Sequence, residues 1–144
     1  MAFTAARAVD GAQLAVGDRL FLYTSRGCFG NPGRDKGRVI GEAEVLSPLR
    51  RRPKPVTIAG RDFTHDCRIA VKSLAPYGTG VDLSALVPQL HAFPDPRSWS
   101  ARMRRPLLQL PDEDAELIAS LFAPVARRPA DALSTYSHVL TSRR

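Results

Sequence analysis

Residues 38–46 read RVIGEAEVL, a two-residue alternation that a helix cannot use, and a loop with glycines at 27, 30, 33 and 37 stands directly in front of them. Side chains on a strand point to opposite faces in turn, so Val39, Gly41, Ala43 and Val45 share one face. Ile40, Glu42, Glu44 and Leu46 share the other. The preceding run Arg19–Thr24 is also β-favouring and follows the turn signal Val16-Gly17-Asp18. Two strands joined by a glycine loop, with no helix between them, make an antiparallel pair and exclude a βαβ unit at this point.

The same loop, FLYTSRGCFGNPGRDKGR over residues 21–38, raises the question of a phosphate cradle. A P-loop needs G-x-x-x-x-G-K-[ST] opening a helix whose first amides hold the phosphate. Here Lys36 precedes Gly37 and a strand follows, so the motif fails on both counts. A long hairpin connection that needs positive φ at several points explains the glycines, and a mobile, basic lip beside a pocket is the functional alternative, carrying Arg26, Cys28, Phe29, Asn31, Arg34 and Lys36.

Further along, Leu49-Arg-Arg-Arg-Pro-Lys-Pro55 reads as a loop, because proline cannot donate to a sheet ladder. Val56–Ile58 reads as a short strand. Phe63–Leu74 reads as one long strand with Phe63, His65, Cys67, Ile69 and Val71 inward, closed by Pro76–Gly80. Asp82 is placed to cap a helix over 83–86 before Pro88, and Trp99–Met103 to form a helical turn. Pro106–Leu110 fits an edge strand. A helix starts near Asp112 and ends at Pro124, with Asp112, Glu113, Asp114 and Glu116 near its positive end. Its apolar residues Leu117, Ile118, Leu121 and Phe122 are expected on one face. A last helix runs from Ala130 to about Leu140. These elements specify a single α+β domain over 1–144, a mixed β barrel with peripheral helices.

No run reaches the roughly 18 apolar residues of a membrane helix, and MAFTAARAVDG lacks the apolar core of a signal peptide. Cytoplasmic residence and no membrane partner are the expectations. Cys28 and Cys67 are too few for a disulfide framework and are expected as thiols. His65 and Cys67 share a strand parity, but five Cys and His in all give no zinc set, so no metal and no cofactor is expected.

Net charge is +7, the isoelectric point about 10.2, and arginine outnumbers lysine 18 to 3. The guanidinium fork suits phosphates and base edges, which makes nucleic acid the expected partner. A GC-rich coding sequence would give the same excess without one. Basic clusters stand at Arg50-Arg51-Arg52-Pro-Lys54, at Arg102-Met-Arg104-Arg105 beside Trp99, and at Arg127-Arg128. Cations close to an aromatic suit phosphate contact with base stacking, as against a solvated charge run around a core tryptophan. A hydrolase would instead need Thr24 or Ser25 as nucleophile, Lys36 or Lys72 as base, and Glu42 or Glu44 nearby.

In order along the chain, Val16-Gly-Asp-Arg-Leu-Phe-Leu-Tyr23, Arg38–Val45, the strand near 63–74, Leu86–Phe93, Arg97-Ser-Trp-Ser100 and Arg105–Ile118 resemble the EVE family of PUA-like domains. The blocks GD-x-apolar-x-Tyr, VIGEAEV and LPDEDAELI carry most of the resemblance, which spans about residues 12–122 and leaves 123–144 as a helical extension. It implies a PUA-like pseudo-barrel that binds RNA or DNA without catalysis and holds a flipped or unpaired, modified base.

By position, Tyr23, Thr24, Ser25 and Arg26 would border that pocket with Arg97, Ser98, Trp99 and Ser100, and Phe29 and Asn31 would form its rim. Arg34, Arg50, Arg51, Arg52, Lys54, Arg102, Arg104 and Arg105 would meet the nucleic-acid backbone. At the amino end Met-Ala-Phe-Thr-Ala replaces the tryptophan-bearing strand usual in the family, and the segment from 129 on is expected to pack over what that strand would cover. Related ASCH domains include an amidohydrolase on a modified nucleoside that uses Thr, Lys and Glu, which is the alternative reading. A protein-interaction module is the other.

Overall fold

The computed structural model describes residues 1–4 and 14–141, so the first two residues of the family resemblance and the last three of the chain lie outside the described residues. Two antiparallel sheets form the β-structure. One has the order β1 (Ala2–Phe3), β5 (Arg61–Asp66), β4 (Arg50–Ile58). The other has the order β2 (Arg19–Thr24), β3 (Arg38–Val45), β6 (Ile69–Leu74), with β7 (Val81–Asp82) on the far end of β3. Among the described residues the two ladders do not join into a closed barrel. Helices α1 (Leu83–Leu86), α2 (Trp99–Arg102), α3 (Asp112–Phe122), α4 (Pro129–Leu133) and α5 (Ser137–Thr141) complete an α+β fold, and all but α3 have four or five residues.

The alternation in β3 is realised residue by residue: Val39, Gly41, Ala43 and Val45 are buried and the residues between them half-buried. Val39 enters the main core with Leu83, Val87, Phe93, Ile118 and Phe122. Ile40, pointing the other way, packs against a second cluster of Leu74, Ala132, Tyr136 and Val139. The carboxy-terminal segment therefore covers the opposite face of the same sheet. The expected last helix is broken there, α4 and α5 being separated by a 3-10 turn over Ser134–Tyr136.

Three strand and loop expectations are corrected as well. Phe63–Leu74 is not one strand. The chain leaves the first sheet after Asp66 and enters the second at Ile69, with Cys67 N–H donating to Met1 O (3.0 Å) and Leu46 N–H to Arg68 O (2.8 Å) across the junction. The switch resets the parity, and Val71 is exposed.

The Arg50–Pro55 segment is not a loop but part of β4, an edge strand. Arg51 pairs with His65 and Val56 with Phe63, so residues 52–55 bulge against Thr64 alone. Pro53 and Pro55 fall in that bulge, where no ladder donor is required. Pro106–Leu110 joins no sheet: Pro106 stands in a bend and residues 107–110 have no regular secondary structure. An edge strand needs a partner ladder, and none of the described strands reaches it.

Helix α3 begins and ends where the acidic turn and Pro124 place it, but its buried stripe is Asp114, Ile118 and Phe122, with Leu121 exposed. These positions are four apart and share one face. Asp114 is 2 % exposed, and its carboxylate accepts N–H bonds from His91 (3.0 Å) and Ala92 (2.7 Å). It clamps the Leu90–Phe93 segment onto the helix. Asp114→Ala would leave two N–H groups without their acceptor and lower unfolding stability by about 3 kcal/mol. Asp112→Ala, on the exposed side, should cost less than about 1 kcal/mol. Urea melts of the two variants check the difference.

Candidate functional site

A cavity of about 880 Å³ runs along the outer edge of β2, and every residue from Arg19 to Ser25 lines it. The opposite wall is Arg105–Leu110 with Met103, and α3 closes one flank through Asp112, Ala115, Glu116 and Ile118. The walls are largely apolar, with Phe21, Leu22, Leu108 and Phe93 among them. The polar residues Tyr23, Thr24, Ser25 and Gln109 are also part of the lining. Formal charges on the lining are mixed, Arg19 and Arg105 against Asp18, Asp112 and Glu116. Arg19 is spent on structure. Its guanidinium pairs with Glu42 and with Glu116 (3.1 Å), and sits 5.1 Å from the Phe21 ring centre, so it ties the sheet to α3 beside the cavity.

Tyr23 is half-buried, and its position depends on a missing side chain, because a Cβ on Gly37 would collide with the Tyr23 hydroxyl. Burial, with a smaller contribution from the Asp82 charge, raises the phenol above its ordinary value. The group therefore stays protonated at neutral pH and can donate. Thr24 Oγ1 lies 3.4 Å from Arg38 O, a long contact that leaves the hydroxyl open to a better partner. Ser25 is exposed at the cavity mouth.

The glycine loop does not stand off as a lip. Asp35, nearly buried, gathers it: its carboxylate accepts from Asn31 N–H (3.1 Å), Arg34 Nε (3.1 Å) and the Tyr77 hydroxyl (3.0 Å). Phe29 packs on Tyr77 (centroids 5.4 Å apart) and Tyr136 (5.6 Å), on the carboxy-terminal side of the sheet. Of the loop after Ser25, only Cys28 is among the residues lining the cavity. Asn31 Oδ1 accepts from Gly33 and Arg34 N–H, and Arg26 Nε donates to Pro32 O (2.7 Å), so both hold the loop's own turn.

Of the predicted ligand-binding residues the fold therefore gathers Tyr23, Thr24 and Ser25, with Arg105 from the predicted backbone set. Trp99 is half-buried in the main core, edge-on to Phe93 at 6.2 Å, and the adjoining Ser100 is exposed on α2; neither lines the cavity. Arg102 is half-buried and Arg104 exposed. Arg34 is held by Asp35 and the Tyr77 ring. Arg50 and Arg52 both pair with Asp66, and Arg52 also donates to Lys54 O within the bulge. Arg51 and Lys54 are exposed with no carboxylate partner among the described residues. Arg19 and Gln109 escaped the sequence reading, since nothing local to either segment says that 105–110 lies opposite β2.

The groups weighed for hydrolysis are engaged elsewhere: Lys36 with Asp82 (3.4 Å), Lys72 with Glu44 (2.9 Å) and Glu42 with Arg19. His65 Nδ1 shares a bond with Thr64 Oγ1 (2.9 Å), and Cys67 is buried. Among the described residues no cluster of three or more Cys, His, Asp or Glu could hold a metal ion, and no helix is long and apolar enough to cross a membrane. Compared with protein-family models and with curated proteins, the chain matches none.

Gly37→Ala should force the Tyr23 ring aside and cost roughly 1–3 kcal/mol, read as a lower melting temperature together with a changed tyrosine environment by near-ultraviolet circular dichroism. The Asp35 carboxyl gives a pH test. Burial alone would raise it, but Arg34, the Asn31 N–H and Tyr77 together hold it below its ordinary value. A group held low binds fewer protons folded than unfolded, so its contribution is complete above the unfolded value near pH 4 and fades as pH falls through the folded one. Stability measured from pH 6 to pH 2 should fall less steeply in Asp35→Asn than in the parent.

Proposed function

We propose that this protein is a non-catalytic nucleic-acid-binding module whose cavity receives a flipped or unpaired base. The observation that carries the reading is the convergence of Tyr23, Thr24 and Ser25 with Arg105 on one cavity whose walls are apolar and whose charges are mixed. Such a site suits a flat, uncharged group with polar edges and is a poor place for phosphates. The excess cations stand outside it, where a charged backbone would run. A base leaves its stack at a cost of a few kcal/mol, offset by apolar contact and by hydrogen bonds to the edge.

More particularly, we assign the protein to the EVE-related branch of PUA-like domains, acting in the cytoplasm. The two antiparallel sheets would then be the open halves of the pseudo-barrel, and the end of β2 its reading edge. A volume near 880 Å³ falls in the range of small-molecule pockets and admits a base with or without a modification.

A panel of short DNA and RNA strands, modified and unmodified, at two salt concentrations tests the reading. Binding should favour one modified base, and Thr24→Val/Ser25→Ala should weaken it about 10- to 100-fold by removing two hydroxyl partners, with the melting temperature kept. Salt-sensitive binding that ignores the modification would reduce the site to general attachment. Trp99→Ala should instead lose about 3 kcal/mol of stability, since the ring packs in the core. Weakened binding without destabilisation would return Trp99 to the site.

A further inference from the structure

The root of the β4–β5 hairpin adjoins the cavity rim: Met1 lines the cavity, its amino group donates to Cys67 O, and Ala2 and Phe3 pair with Asp66 and His65. Beyond those two positions the described amino-terminal residues add one contact, Thr64 Oγ1 donating to Thr4 O (2.9 Å). Among the described residues no third strand pairs with the hairpin from Phe63 outward, where its rungs are Val56–Phe63, Thr57–Asp62 and Ile58–Arg61. It turns on Ala59 and Gly60, both at positive φ (52° and 74°), which is the tight turn that matches the twist of a two-stranded ribbon. The five steps between the six residues of β5, at about 3.3 Å each, carry the tip roughly 17 Å from the root.

Two-stranded ribbons without a core are marginal in water, and this one shows its surface on both sides. Every residue of β4 except Arg52 is exposed, including Val56 at 37 % and Ile58 at 55 %. Five cationic side chains stand on residues 50–66 against two carboxylates, Asp62 and Asp66. Asp66 is committed to Arg50 and Arg52, and Asp62 to the Thr57 hydroxyl. Arg51, Lys54 and Arg61 are exposed, and no carboxylate among the described residues pairs with them. What covers such a ribbon must be polyanionic and must have a slot of its width.

We propose that the β4–β5 ribbon is a second nucleic-acid contact that enters the major groove of double-stranded DNA. A groove about 12 Å wide admits a two-stranded ribbon, whereas the deep, narrow major groove of A-form RNA does not. Arg51, Lys54 and Arg61 meet phosphates along the groove walls, while Val56 and Ile58 supply apolar contact toward its floor. The proposal rests on the reading of the protein as a nucleic-acid binder and names which form of nucleic acid it meets.

The test compares the parent with Arg51→Gln/Lys54→Gln/Arg61→Gln on three probes of one sequence: a DNA duplex, the single DNA strand and an RNA duplex. All three side chains are exposed, and a thermal melt checks that the fold is kept. DNA-duplex affinity should fall tenfold or more, and the slope of log affinity against log salt should shrink by about 0.9 for each phosphate that the variant no longer neutralises. Single-strand binding should stay within about twofold of the parent. Unchanged duplex binding by the variant, or duplex binding absent in a parent that holds the single strand, overturns the ribbon and leaves the cavity reading standing. Equal losses on strand and duplex, or an RNA duplex bound and weakened alike, overturn the groove. A parent that binds none of the probes overturns the ribbon, and the panel of modified strands then decides the cavity reading by itself.

Discussion

Strand β3 hydrogen-bonds to three other strands, β2, β6 and β7, and its alternation decides what lies on each side of the second sheet. Val39 goes to the core beneath α1 and α3, and Ile40 to the cluster under the carboxy-terminal helices. A register slip of one residue would exchange the two sets and put Glu42 and Glu44 into the core. The cavity inherits this constraint: with β3 in place β2 has one edge unpaired among the described strands, and Asp114 fixes the 90–93 segment ahead of the 105–110 stretch that also lines the cavity.

Local patterns made that part of the fold legible. Arg19–Thr24, Arg38–Val45, the Asp82 cap and the α3 boundaries all follow from alternation, turn residues and helix signals close at hand. What escaped depends on partners distant in sequence. Proline argues against a central strand, but β4 is an edge, and its bulge against Thr64 removes the objection. The continuous pattern over 63–74 hides a change of sheet, because the residues that break it, Met1 and Leu46, lie far away in the chain. Phe29 and Trp99 look alike from sequence, each an aromatic near cations. Their fates are settled by Tyr77 and Tyr136 in one case and Phe93 in the other.

The electrostatics divide in the same way. A charge of +7 suggests a broadly basic surface, yet Arg19, Arg34, Arg50 and Arg52 are all held by carboxylates and organise the fold. Exposed ion pairs contribute little each, about 0–1 kcal/mol, so their main effect is on position. Arg19 spans from β2 to α3, and Asp66 draws two guanidiniums to the root of the hairpin, which holds the Asp66 carboxyl below its ordinary value. Arg51, Lys54 and Arg61, which no carboxylate among the described residues pairs with, lie along an exposed ribbon, and Arg102 and Arg104 likewise lack such a partner, so these cations stand outside a cavity whose lining charges are mixed. On the proposed reading a polyanion is drawn to those cations, and binding in the cavity depends on shape and hydrogen-bonding edges more than on charge, a separation in which affinity varies with salt while selectivity does not.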